Sequence, residues 1–154
     1  MSRHHLAVYQ AAYRVLGDRD RAADAAQDTF VKALRALAGF RGDASFRTWL
    51  LQIAVNTARS AGRATTRRRE VALEPGAGWE TNRPGPDRQT VLRSEAARVE
   101  AAIDELPEKQ RLAVTLRLQQ ELSYREIAEV IGSTEGTVRV NYHLGIKRVR
   151  ERLT

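Results

Sequence analysis

Cysteine is absent from the 154 residues, which excludes a disulfide framework and any Cys-based zinc site while permitting a reducing compartment. Aromatic residues are scarce, at 6% of a chain that is 42% hydrophobic. That balance suits compact helical units better than a sheet sandwich, and the length allows one ordinary domain or two small ones. No apolar run approaches the ~18 residues of a membrane span. The opening MSRHHLAVYQ lacks a signal-peptide core, so a cytoplasmic protein without membrane insertion is expected. The groups of bond-making chemistry are also missing. An enzyme acting on nucleic acid would need a metal-binding carboxylate cluster or an acid/base pair. Asp24 with Asp28 is the only candidate, and both lie on one helix with no His nearby in sequence. Neither a catalytic residue, a metal site nor a cofactor is expected.

What is plentiful is positive charge, and it is unevenly placed. Residues 1 to 69 carry 13 Lys/Arg against 5 Asp/Glu, whereas residues 95 to 154 carry 10 against 10. Such an excess favours a polyanion as partner, because neutralising phosphates releases condensed counterions whatever the base sequence. The second half is itself sorted: residues 95 to 135 hold 5 basic and 9 acidic groups, residues 136 to 154 hold 5 and 1.

Prolines are few and clustered, three of the four lying between residues 64 and 93 with several glycines and no sustained apolar period. This stretch reads as a flexible linker between helical units at 1–63 and 94–154, an all-α architecture of two small domains. Thirty such residues have a root-mean-square span of about 30 Å and reach roughly 100 Å when stretched. DNA elements one to three duplex turns apart, at roughly 34 Å per turn, fall within that range.

Three helices are expected before the linker. The first runs from about His5 to Leu16 and stops at Gly17. The second opens at Asp18 or Asp20 and continues to about Leu37, burying Ala22, Ala26, Phe30 and Leu34 with Ala23 and Leu37 beside them. The third starts near Ser45, capped by Asp43 or Ser45, and buries Phe46, Trp49, Leu50, Ile53, Ala54 and Thr57. Four helices follow the linker. Ser94 caps one reaching about Leu106, Pro107 opens the next, and SYRE forms a capping box of Ser123 and Glu126. The last begins near Thr134 or Glu135.

Three surfaces offer chemistry. Ala128, Gly132 and Val138 have the spacing of a helix-turn-helix, whose second helix buries Val138, Tyr142, Ile146 and Val149. Its outward Thr137, Arg139, Asn141, Lys147 and Arg148 suit a major groove. In DAAQDTFVKAL, residues Asp24, Gln27, Asp28 and Val31 share the side away from the alanines, either as a partner face or as a solvated one with an Asp28–Lys32 pair. In GDASFRTWLLQIAVNTAR, a polar stripe of Gln52, Asn56, Arg59 or Ser60, and Arg63 continues into Arg67, Arg68 and Arg69. Its amides can pair with base edges and its arginines can follow a backbone.

Taken in order, YRVLGDRDRAADAAQDTFVKALRAL, FRGDASFRTWLLQIAVNTARS and LPEKQRLAVTLRLQQELSYREIAEVIGSTEGTVR resemble the extracytoplasmic-function group of bacterial RNA polymerase sigma factors. The resemblance spans roughly residues 9 to 63 and 95 to 139. It implies a region 2-like three-helix domain and a region 4-like helix-turn-helix domain. By the resemblance, Asp24, Gln27, Asp28 and Val31 contact core RNA polymerase. Arg41, Gly42, Asp43, Ala44, Ser45, Phe46, Asn56, Arg59 and Arg63 face the minus-ten promoter element, where Asn56 reads an exposed base. Tyr124, Arg125, Thr137, Arg139, Val140, Asn141 and Leu144 sit at the minus-thirty-five element. An anti-sigma factor is a further expected partner. Four departures stand out: a helix that family members carry ahead of the first one, Ser60 for a common Asp, Ser133 at a usually apolar turn position, and Val140, Asn141 and Leu144 where Ser, Arg and Arg are frequent. The N-terminus is therefore expected to be truncated or its start misassigned. The alternative is a helix-turn-helix regulator that is not a polymerase subunit, since similar turns occur in other regulators.

Overall fold

The computed structural model describes residues 2–42, 45–72 and 90–154 and, at the side-chain level, residues 4–42, 45–64 and 95–154. Among the described residues the chain is all-α: seven α-helices, one 3-10 turn and no strand. They belong to two compact units, Met1–Arg83 and Pro84–Thr154.

The first unit holds α1 (Ser2–Leu16), α2 (Arg19–Ala36), the 3-10 turn Leu37–Gly39 and α3 (Phe46–Ala72). Gly17 ends α1 in the left-handed region at φ 69°, its amide donating to the Tyr13 carbonyl at 2.7 Å. This is a conformation that a β-carbon would strain. Asp18 then caps α2, its Oδ1 accepting from the amides of Asp20 at 2.9 Å and Arg21 at 3.1 Å. Each of the three helices packs on the other two.

Small residues mediate that packing. The buried arc of α2 is Ala22, Ala25, Ala26, Thr29 and Ala33. Thr29 is tolerated there because its hydroxyl donates to the Ala25 carbonyl at 2.7 Å, so no buried polar group is stranded. This corrects the arc expected from the apolar pattern. Ala23 is exposed, as are Leu34 at 60% and Leu37 at 48%, and Phe30 is half-buried. Helix α3 contributes the large side chains. Leu50, Leu51, Ala54, Val55 and Ala58 are fully buried and Thr48 and Thr57 nearly so, a wider arc than one stripe because α1 and α2 cover α3 from two sides. The α-helix also runs beyond the polar stripe to Ala72, into the segment read as linker.

The second unit holds α4 (Thr90–Asp104), α5 (Glu108–Leu118), α6 (Tyr124–Ile131) and α7 (Glu135–Leu153), and α7 touches the other three. Helix α4 starts at Thr90, ahead of the expected cap at Ser94. Pro107 takes the N-cap of α5 with extended backbone, φ −55° and ψ 151°, one position earlier than expected. The cluster of Ala102, Ile103, Leu106, Val114 and Val149 is flanked by Tyr142 and Ile146. At the C-terminal end, Arg152 pairs with Glu105 and Arg98 Nη2 donates to the Leu153 carbonyl at 3.2 Å.

Gly145 sits where α7 crosses α5. A β-carbon there would lie 2.7 Å from Val114 Cγ2 and 3.4 Å from both the Gln110 carbonyl and Leu106 Cδ1. Val114 is fully buried and stiff at χ1, so it has nowhere to turn. Gly136 in the same helix has open space around it. Gly145→Ala should therefore destabilise the unit by about 1–2 kcal/mol, overpacking outweighing helix propensity. Gly136→Ala should stabilise it by up to about 1 kcal/mol. Urea melts of the two variants check the opposite signs.

Candidate functional site

The outer face of α2 is built by default from what the alanine arc leaves out. Asp24, Gln27, Asp28 and Val31 are all exposed, Val31 at 46%, and Leu34 three residues on extends the face. Lys32 turns away from Asp28, its Nζ donating to Thr57 Oγ1 on α3 at 3.2 Å. The Asp28–Lys32 pair that a purely solvated face would use is thus not made. The result, among the described residues, is two carboxylates without an ion pair and an amide beside exposed Val and Leu side chains, on a unit whose sequence is otherwise basic. The exposed Leu34 was missed because its hydrophobicity argued for the core. The signal that could have found it is the spacing of Ala22, Ala25, Ala26 and Ala33, which already completes the buried arc.

The second group surrounds the turn into α3. Phe40 and Phe46 flank that turn, and both rings pack on Trp49, with centroids 5.0 Å and 5.7 Å away and 5.9 Å between the two phenylalanines. Three aromatic contacts, at about 0.5–1.5 kcal/mol each beyond the area they bury, hold the two ends of the turn together. Between them Arg41 and Gly42 are exposed, Gly42 at φ 79°; Asp43 and Ala44 lie outside the described residues. Ser45 is occupied structurally: its Oγ accepts the Thr48 amide at 3.0 Å and donates to Thr48 Oγ1 at 2.8 Å, capping α3. Phe46 is half-buried in the aromatic cluster.

Along α3, Gln52, Asn56, Ser60 and Arg63 are exposed and Arg59 is half-buried. Arg63 Nη2 donates to Ser60 Oγ at 3.2 Å. Asn56 thus presents a free donor and acceptor pair on a ridge that the buried Val55, Thr57 and Ala58 hold rigid.

The third group is the helix-turn-helix of α6 and α7. Its turn is fixed by capping at every free end. Ser123 and Glu126 form the reciprocal capping box, at 2.9 Å and 3.1 Å. Gly132 closes α6 at φ 71°, its amide and that of Ser133 both donating to the Ala128 carbonyl, and Thr134 accepts the Thr137 amide at 3.2 Å. With α6 and α7 set this way, Val138 is fully buried while Arg125, Thr137, Arg139, Val140 and Leu144 are exposed and Asn141 is half-buried.

Tyr124 does something the sequence did not suggest. Its ring takes the Arg117 guanidinium at 4.5 Å and the Arg139 guanidinium at 5.2 Å, and meets Tyr142 edge-on at 5.8 Å. Arg139 is also 3.6 Å from Glu135, one turn earlier. The side chain best suited to a bidentate base contact is therefore steered by an aromatic face and a carboxylate. Arg125 lies 4.0 Å from Glu129 with both largely exposed, a pair worth little. Among the described residues no cluster of three metal-ligating groups occurs.

Residues 1–68 match the family model described as Sigma-70 region 2, and residues 96–149 that described as Sigma-70, region 4. The chain is 42% identical over 134 residues to the RNA polymerase sigma-H factor of Pseudomonas aeruginosa, covering 82% of this chain and 69% of that protein. It is 39% identical over 148 residues to the ECF RNA polymerase sigma-E factor of Escherichia coli K12, covering 88% and 74%. Among solved structures, the sigma factor RpoE from Bartonella quintana, crystallised with the anti-sigma factor NepR, has a similar fold at 24% identity, with a TM-score of 0.76 over 97% of this chain and 91% of that one. CnrH in complex with the cytosolic domain of CnrY is 26% identical, with a TM-score of 0.69 over 99% and 83%.

If Tyr124 serves as a platform, Tyr124→Phe should keep duplex affinity close to that of the parent, because the ring face remains. Tyr124→Leu should lose about 0.5–1 kcal/mol, and lose nothing more when Arg139 is already Ala. Arg139→Ala alone should weaken binding by roughly 1–3 kcal/mol. Fluorescence anisotropy on a labelled duplex measures the four variants against the parent.

Proposed function

The chain belongs to the sigma-70 family as an RNA polymerase sigma factor of the extracytoplasmic-function group, and from that premise we propose which of its residues do the work. A sigma factor of this kind binds core RNA polymerase, directs it to promoters and helps open them. The observation that carries the assignment of the docking face is the acidic and apolar surface of α2. Asp24, Gln27, Asp28 and Val31 contact the polymerase, with Leu34 extending the contact.

Residues 41–46 and the ridge of Asn56, Arg59 and Arg63 handle the minus-ten element. Binding energy for unpaired bases, with arginines along the backbone, drives strand separation without any bond being made or broken. The free amide of Asn56 supports its role as a reader of an unstacked base. Ser45 and Phe46 contribute by holding the loop's end in place. The helix-turn-helix binds the minus-thirty-five duplex through Arg139, Thr137, Val140, Asn141 and Leu144, with Tyr124 aligning Arg139 and Arg125 available to phosphate.

No catalytic activity is assigned. The two α2 carboxylates are spoken for by docking, and among the described residues no third acid or His joins them. The site of action is the cytoplasm, where core polymerase and chromosome meet; among the described residues no helix is long and apolar enough to cross a membrane. Relatives crystallised with an anti-sigma factor or a cytosolic protein domain support an anti-sigma protein as a regulator here too.

Asp24→Arg combined with Gln27→Ala should weaken the complex with core polymerase at least tenfold, or about 1.4 kcal/mol, with an unchanged melting curve. Co-elution with core tests it, and undiminished binding would move the docking face elsewhere. Asn56→Ala should leave stability unchanged or slightly raised and closed-complex formation intact, while permanganate reactivity of minus-ten thymines declines. Full reactivity at matched promoter occupancy would remove Asn56 from the site.

A further inference from the structure

The outer face of α7 contains a ridge that cannot hydrogen-bond. Val140 is 58% exposed and Leu144, one turn on, 44%. At about 100° per residue, Val140 lies roughly 200° around the helix from the buried Val138, directly opposite the core. Gly136, one turn before Val140, has open space around it and adds no side chain. This apolar ridge runs along the helix that the helix-turn-helix presents to solvent, among the exposed cations Arg139, Lys147 and Arg148. A protein partner recognising apolar side chains would have to desolvate those cations as well. A duplex satisfies both at once, since phosphates take the cations and the major groove offers one apolar group, the 5-methyl of thymine.

We propose that Val140 and Leu144 set the base preference of the upstream element by packing on thymine 5-methyl groups, so that the element this protein selects carries thymine opposite the ridge. The inference rests on the reading of the second unit as a duplex binder. It adds the chemistry of what is read: two side chains without donor or acceptor cannot favour guanine or cytosine by hydrogen bonding, and shape contact with a methyl is the discrimination left to them. The missing side chain at Gly136 lets the start of α7 seat deeply enough for that contact.

The test uses the full chain assembled with core polymerase. A promoter pool with a randomised upstream element is enriched by this holoenzyme, and the enriched element is then synthesised with deoxyuridine replacing thymidine, which deletes only the methyl. Enrichment of thymine, and a loss of about fourfold in affinity per methyl removed, is the expected result. With Val140→Ser and Leu144→Ser together, the thymine and uracil elements should bind alike while salt-sensitive binding persists. An enriched element without thymine, or equal binding of thymine and uracil duplexes by the parent chain, overturns the proposal and leaves duplex binding standing; the ridge would then be free for a protein partner. If no upstream sequence is enriched at all, the duplex-binding reading fails and the proposal with it. The decisive comparison is made on the parent chain, so it does not depend on either variant folding.

Discussion

Close approach of helices at small residues is the constraint on which both units depend. In the first, α2 offers an arc of alanines and one self-satisfied threonine, so the bulk of α3's leucines and valine can fill the space between three helices. In the second, Gly145 lets α7 lie against Val114 of α5. Where alanine or glycine faces a neighbouring helix the backbones approach closely, which matters because dispersion falls away steeply with each fraction of an ångström of gap. Everything functional is what remains outside those contacts. The polar and charged faces of α2, α3 and α7 point outward because their opposite faces are committed.

Capping then converts packed helices into aimed ones. Asp18, Ser45, Ser123 and Thr134 each accept an amide at a helix start, and Gly17 and Gly132 each supply a left-handed turn at a helix end. Such caps contribute about 1 kcal/mol apiece, which is modest for stability. Their larger effect is on direction, since each fixes where the next helix begins and which way it leaves. The turn before α3 shows the same division: Phe40, Phe46 and Trp49 tie its two ends together, leaving Arg41 and Gly42 between them free to face a ligand.

Electrostatics distributes the partners. An excess of cations in the first unit suits nucleic acid, and within it the α2 face is the exception, acidic and partly apolar, suited to protein. Lys32, four residues from Asp28, bonds to Thr57 on α3 instead of pairing with that carboxylate. In the second unit α7 carries five basic and two acidic residues, whereas residues 95 to 134 carry five basic and eight acidic ones. That gradient orients the unit toward a duplex before any base is read.

Much was legible without coordinates. The helices on either side of the linker, the capping box, the left-handed glycines and the outward polar stripe of α3 depend on neighbours within one or two turns, so periodicity and cap residues determine them. The ends of α3 and α4 were not legible, because Arg-rich and Thr-Val-Leu stretches are compatible with helix or coil and the Pro/Gly composition between them dominated the reading. The exposure of Leu34 and Leu37 and the stacking of Arg117 and Arg139 on Tyr124 belong to tertiary structure alone. Hydrophobicity says that a leucine gains from burial, but not whether a partner helix is there to bury it. That is decided by which faces of α1 and α3 are already occupied by alanines. By itself the sequence determined which residues carry chemistry. The packing decided which of them are spent on the fold and which are left to meet another molecule, because each side chain has one surface and contacts across helices compete for it.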